Sequence, residues 1–113
     1  MKKTILLLLA VTLILLLPAC KSSATSKLDP VAAAETYLNS GNAFYNNADF
    51  DKALMEYDQA ILLNPNSAEA FNNRGYVYYI KGENDRAIAD FEAALKLDPD
   101  YTSAKNNLER ARK

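Results

Sequence analysis

A chain of 113 residues with no His, one Cys and a formal net charge of −1 excludes several functions before any motif is read. Without His it lacks the commonest general base and metal ligand, and a single Cys has no partner for an intramolecular disulfide. The slightly acidic balance argues against nucleic acid, which calls for a basic face, and equally against electrostatic binding to anionic lipid.

In chain order, Lys2 and Lys3 precede an apolar run from Ile5 to Leu17 that only Thr12 interrupts. That run is thirteen residues long. It falls short of the ~20 needed for a membrane span and fits the h-region of a secretory signal. Next comes Leu17-Pro18-Ala19-Cys20, which resembles the lipobox of bacterial lipoproteins. The resemblance implies that the Cys20 thiol is alkylated by a diacylglycerol and that residues 1–19 are removed, leaving Cys20 as a lipidated N-terminus anchored in a membrane. The mature chain would have 94 residues and, without Lys2 and Lys3, a net charge of −3. The resemblance also implies a bacterial envelope location, and Lys21 in place of the Asp that retains such lipoproteins in the inner membrane implies sorting onward. In a cell with an outer membrane the destination is that membrane's periplasmic side. Residues 20–28 comprise this Cys and a small, polar tether; a flexible chain of about eight residues has a root-mean-square span of ~16 Å.

The folded domain covers residues 29–113. One helix runs from roughly Ala34 to Asn47, and Asp29-Pro30, an N-cap with Pro at the first helical position, lets it begin near Pro30. A second helix covers Phe50 to Leu63, and Asn64-Pro65 ends it because proline cannot continue a helix and disfavours the α region before it. Asn66 is expected to cap the next helix, with Glu69 three residues on completing a capping box, and Asp100 after Pro99 repeats that start. The pairs Asp49/Asp51 and Glu83/Asp85 open the second helices, where carboxylates stabilise the positive end of the dipole. Gly82 reads as a left-handed C-cap. Residues 102–113 form a last helix with Ala104, Leu108 and Ala111 as its apolar stripe. Arg110, Arg112 and Lys113 read as its solvated end.

Residues 34–67 and 68–101 carry one 34-residue pattern twice. Gly41, Ala53, Ala60 and Pro65 recur as Gly75, Ala87, Ala94 and Pro99. Tyr37, Phe44, Tyr57 and Leu63 keep step with Phe71, Tyr78, Phe91 and Leu97. Gly in mid-helix costs ~1 kcal/mol relative to Ala, so Gly41 points to a close backbone approach. Tyr37, Phe44 and Tyr57 are expected to fill the space around that crossing.

The doubled pattern resembles the tetratricopeptide repeat (TPR). The resemblance implies an all-α, right-handed helix-turn-helix repeat stack of two units plus a C-terminal capping helix, with the first helix of each unit lining a concave groove. The seventh position, often Leu in this family, is Ser40 and Arg74 and is read as a loosened contact. Carried onto this chain, the family's groove positions are Glu35, Leu38, Asn39, Asn42, Tyr45 and Asn46, then Glu69, Asn72, Asn73, Tyr76, Tyr79 and Ile80. The peptide-binding candidates among them are Leu38, Asn39, Asn42, Tyr45, Asn72, Asn73, Tyr76 and Tyr79. Amides can pair with both backbone groups of an extended peptide, and tyrosines add amphipathic contact area at little entropy cost. A carboxylate clamp of the chaperone-binding kind is not expected, because Leu38, Ser103 and Asn107 stand where its cations belong.

These features point away from an enzyme and towards binding, with no cofactor, no metal and no nucleic acid. The favoured reading is a membrane-tethered protein–protein interaction adaptor in the bacterial envelope, holding an extended segment of a protein partner. The alternative is a structural or regulatory subunit that contacts a folded partner, or itself, through helix edges. Two repeats fall below the ~3 usually needed for independent stability. The Pro30 extension and the capping helix supply part of the difference, and a homo-oligomer would supply the rest.

Overall fold

The computed structural model describes residue 27 and residues 29–113; the expected signal peptide, the expected lipidation site at Cys20 and most of the expected tether lie outside the described residues. Five helices follow one another: α1 (Pro30–Asn46), α2 (Phe50–Leu63), α3 (Ala68–Ile80), α4 (Asn84–Leu97) and α5 (Thr102–Arg112). No strand occurs among the described residues.

Local chemistry sets most of the boundaries. The Asp29 carboxylate accepts a hydrogen bond from the Val31 amide at 3.0 Å, with Pro30 at the first helical position, so α1 takes the longer of its two expected starts. Asp49 likewise caps α2 through the Lys52 amide. The turns closing α1 and α3 repeat each other bond for bond. Ala48 N–H donates to the Tyr45 carbonyl and Asp49 N–H to that of Phe44, as Gly82 N–H does to Tyr79 and Glu83 N–H to Tyr78. This is the Schellman arrangement, whose C′ residue is left-handed. Gly82 takes φ +79° there, in its expected role, and Ala48 is held at φ 59°.

Two expected caps are displaced by one residue. Asn64 folds its side chain over Pro65 and accepts the Asn66 amide at 3.1 Å. The Ser67 amide donates to the Asn64 carbonyl, so the turn extends one residue further. Ser67, not Asn66, caps α3 by accepting the Ala70 amide at 3.2 Å. Glu69 consequently serves the dipole of the first turn, without a capping box. Asp98 and Asp100 repeat the turn at 3.1 Å, which moves the start of α5 beyond Asp100 and leaves Tyr101 at a cap position with no side-chain bond.

Helices α1 and α2 pack as one pair, α3 and α4 as the next, and α5 closes against α4 and α3. The crossings depend on small residues. A Cβ at Gly41 would meet the Tyr57 ring at 2.5 Å, and one at Gly75 would meet the Phe91 ring and the Asp90 Cβ, both at 2.9 Å. Ala53, Ala60, Ala87 and Ala94 are all buried. Tyr57 fills the first crossing and Phe44 packs against it, but Tyr37 does not. It remains 37% exposed.

Arg74 does the opposite of loosening a contact. Its guanidinium grips Asp90 of α4 through Nε and Nη2, both at 2.8 Å, and reaches Asp58 of α2 through Nη1 at 2.9 Å. The Phe71 and Tyr78 rings lie 5.6 and 5.9 Å from it. One side chain therefore joins the two repeats, and Asp90, 5% exposed, depends on it for charge compensation.

Candidate functional site

The first helices of the repeats and the capping helix enclose a cleft of about 590 Å³. Helix α1 contributes Asn42, Tyr45 and Asn46, and α3 contributes Asn72, Asn73 and Tyr76. Tyr57 enters from α2, and α5 adds Ser103, Asn106, Asn107 and Arg110. The lining is thus amide and phenol with one aliphatic hydroxyl and one charge. Among the described residues no group of His, Cys, Asp or Glu could hold a metal ion, and no helix is long and apolar enough to cross a membrane.

Hydrogen bonds run across the cleft from repeat to repeat. Asn42 Oδ1 accepts from the Tyr57 hydroxyl at 2.7 Å and from Asn73 Nδ2 at 3.0 Å. Asn72 Nδ2 donates to Asn73 Oδ1 at 3.4 Å, and Asn107 Nδ2 donates to Asn72 Oδ1 at 3.0 Å. This ladder ties α1, α2, α3 and α5 together. It accounts for asparagine in mid-helix, a place where its propensity is poor. Burial pushes the Tyr57 phenol up to about 12, with the negative charge of Glu69 a lesser cause. Burial and then Tyr76 also raise Tyr45. Both phenols are therefore neutral donors at physiological pH.

The ladder does not consume every polar group. The Asn42 Nδ2 and the side chains of Asn46, Ser103, Asn106 and Arg110 have no hydrogen-bond partner among the described residues. Along one margin a row of rings crosses both repeats: Phe50 to Tyr45 at 6.0 Å, Tyr45 to Tyr76 at 6.0 Å, and Tyr76 to Tyr79 at 6.2 Å.

Of the eight peptide-binding candidates, Asn42, Tyr45, Asn72, Asn73 and Tyr76 gather around this cleft. Leu38 and Asn39 lie apart from it. They line a second hollow of about 260 Å³ together with Val31, Glu35 and Glu69, and Leu38 is at the same time part of the core. Tyr79 is outside both linings and packs on Tyr76. The expectation of a solvated helix end fits Arg112, paired with Glu92, and Lys113, paired with Glu109. Arg110 is exposed as well, and it also lines the cleft. The wall contributed by α5 could have been found by adding one more period of 34 residues to Glu69, Asn72, Asn73 and Tyr76, which gives Ser103, Asn106, Asn107 and Arg110.

A family model described as the tetratricopeptide repeat matches residues 38–102. The chain belongs to the tetratricopeptide repeat family. Its members are protein–protein interaction modules, and the all-α repeat stack is theirs. Among solved structures it is similar to the second TPR domain of human RPAP3 in complex with the HSP70 peptide SGPTIEEVD. Identity there is 30%, over 73% of this chain and 68% of that one, with a TM-score of 0.69. The Arabidopsis OM64 TPR domain is 31% identical over 72% of this chain and 67% of that one, also at 0.69. The TPR2B–pHsp70 complex of yeast Sti1 is 25% identical over 71% and 64%, again at 0.69. Comparison with curated proteins gives no match.

Proposed function

We propose that this TPR protein is an envelope adaptor, tethered through a lipid on Cys20, that holds an extended segment of a partner protein in the cleft between α1, α3 and α5. The observation that carries the binding half is the set of unspent amides at Asn42, Asn46 and Asn106 beside the Tyr45–Tyr76 ring pair. Such groups pair with a peptide backbone without demanding one sequence. The RPAP3 domain with its HSP70 peptide, and the Sti1 domain in its pHsp70 complex, support the same use of the fold. The tether half is supported by Leu17-Pro18-Ala19-Cys20 and by the h-region before it. On this reading residues 1–19 are a signal peptide, residues 20–28 the lipidated tether and residues 29–113 the binding domain. The protein has no catalytic role, and it resides at the outer membrane where the cell has one.

A second reading has one observation in its favour. Met55 and Leu62 share a face of α2 and are 65% and 73% exposed, which suits an edge contact with a folded partner or a second copy. Two double variants separate the readings in a crosslinking pull-down of the lipidated protein from its own cells. Asn46→Trp with Asn106→Trp fills the cleft, and Met55→Asp with Leu62→Asp spoils the outer face. The adaptor reading expects partner loss from the first pair alone, and the edge reading expects it from the second alone.

A further inference from the structure

Charge is distributed unevenly along the face that carries the cleft. Arg110 is the one charged residue in the cleft lining, and no carboxylate lies within ion-pair distance of it among the described residues. Its neighbours on α5 are already engaged, Arg112 with Glu92 at 2.8 Å and Lys113 with Glu109 at 3.4 Å. Towards the other end of the same helices, Glu35 and Glu69 line the second hollow, where no basic residue joins them and neither carboxylate is in a salt bridge. A guanidinium among neutral amides and phenols can still take a two-pronged carboxylate. A carboxylate pair without a cation attracts an ammonium or guanidinium in the same way.

From this distribution we infer that the segment bound in the cleft runs on to the second hollow and is bipolar, with an acidic side chain against Arg110 and a basic side chain against Glu69. The inference rests on the peptide-binding reading of the cleft. Repeat geometry fixes the spacing. Glu69 and Arg110 stand at the second and ninth positions of successive 34-residue periods, so seven residues separate them along the helix axis, about 10 Å. They also lie one helix apart, about 9 Å. The diagonal is about 14 Å, which an extended chain rising ~3.3 Å per residue covers in about four residues. The segment should therefore carry opposite charges about four positions apart. The relation is directional: it fixes which end of the segment lies over α5.

The test selects a random decapeptide display library on the full chain, held in detergent micelles at low ionic strength. Peptides with an acidic and a basic residue about four positions apart should be enriched. For one synthesised winner, replacing its acidic residue by the amide should weaken binding at least fivefold. Arg110→Glu should lose those peptides and enrich ones with Lys or Arg at the former acidic position, whereas Lys96→Glu on exposed α4 should change nothing. Winners with no charge bias, or a bias that survives Arg110→Glu, would overturn the bipolar segment and leave the groove reading standing. If Asn106→Trp, which plugs the cleft from an exposed helix position, selects the same peptides as the unmodified chain, or if no peptide is selected at all, the groove reading fails and the inference with it.

Discussion

Ala48 at φ 59° holds a left-handed backbone in which its Cβ crowds the following carbonyl, and Gly82 holds the same position of the second repeat without that penalty. The penalty is ~1–2 kcal/mol for a non-glycine residue, partly offset because alanine loses less freedom on folding than glycine. Ala48→Gly is therefore expected to stabilise the domain by about 0.5–1 kcal/mol, and Gly82→Ala to destabilise it by a similar amount. Denaturant unfolding followed by circular dichroism measures both. A second prediction concerns Tyr57, whose phenol is raised from 10.0 to about 12 by burial. A raised acid stays protonated in the fold while the unfolded chain ionises. Tyr57 thus holds its full contribution below pH 10 and loses it as pH climbs towards 12. The unfolding midpoint should fall over that interval, and Tyr57→Phe should flatten the fall. Tyr57→Phe also removes the hydrogen bond to Asn42, so the variant should start about 1 kcal/mol less stable at neutral pH. Gly82 could be read from its sequence position, but Ala48 could not. Nothing about an alanine announces positive φ, and only alignment of the two repeats places it opposite a glycine.

Where helices meet, size and charge divide the work. Gly75→Leu or Ala87→Leu would drive a side chain into the α3–α4 crossing, where even a Cβ on Gly75 sits 2.9 Å from Phe91. Thermal unfolding should report a loss of ~1–3 kcal/mol for either. A melting temperature unmoved by both would mean that the pair does not pack this way. Arg74→Leu restores the residue more usual at that position yet leaves Asp90 buried without its cation, so a loss of roughly 2–4 kcal/mol is expected. Adding Asp90→Leu to Arg74→Leu should recover part of it. Helix order, the Pro-terminated second helices and the Gly–aromatic crossings were legible because each follows from a residue type at a fixed period. The caps at Ser67 and Tyr101 were not. Asn64 and Asp98 fold back over their prolines and lengthen each turn by one residue, a choice between two polar cap candidates that sequence leaves open. Arg74 was misread for a different reason. Its partners lie sixteen residues away on either side, on helices whose facing surfaces only the packed structure reveals.

For the molecule as a whole, the period of 34 residues makes two repeats and a capping helix into one surface. The groove was partly legible. Asn42, Tyr45, Asn72, Asn73 and Tyr76 follow from the period and line the cleft, while Leu38, Asn39 and Tyr79 do not. On α5 the period marks Ser103 and Asn107 as clamp positions without cations, and their place in a wall with Asn106 and Arg110 is seen in the packed structure. The internal use of Asn42, Asn72 and Asn73 depends on side-chain rotamers that no spacing encodes. If the tether is as proposed, Cys20→Ser should accumulate as an unprocessed, unlipidated precursor, visible as a slower band on a gel. Normal cleavage with release of a soluble product would show that Cys20 is not the anchor point. The partner site is tested most directly by a photo-crosslinking residue placed in living cells at Asn106, in the cleft, or at Leu62, on the outer face of α2. The expected result is a discrete adduct from position 106, mapping to one segment of one protein, and none from position 62. Adducts from position 62 alone would contradict a groove-binding adaptor and move the partner to the helix edge.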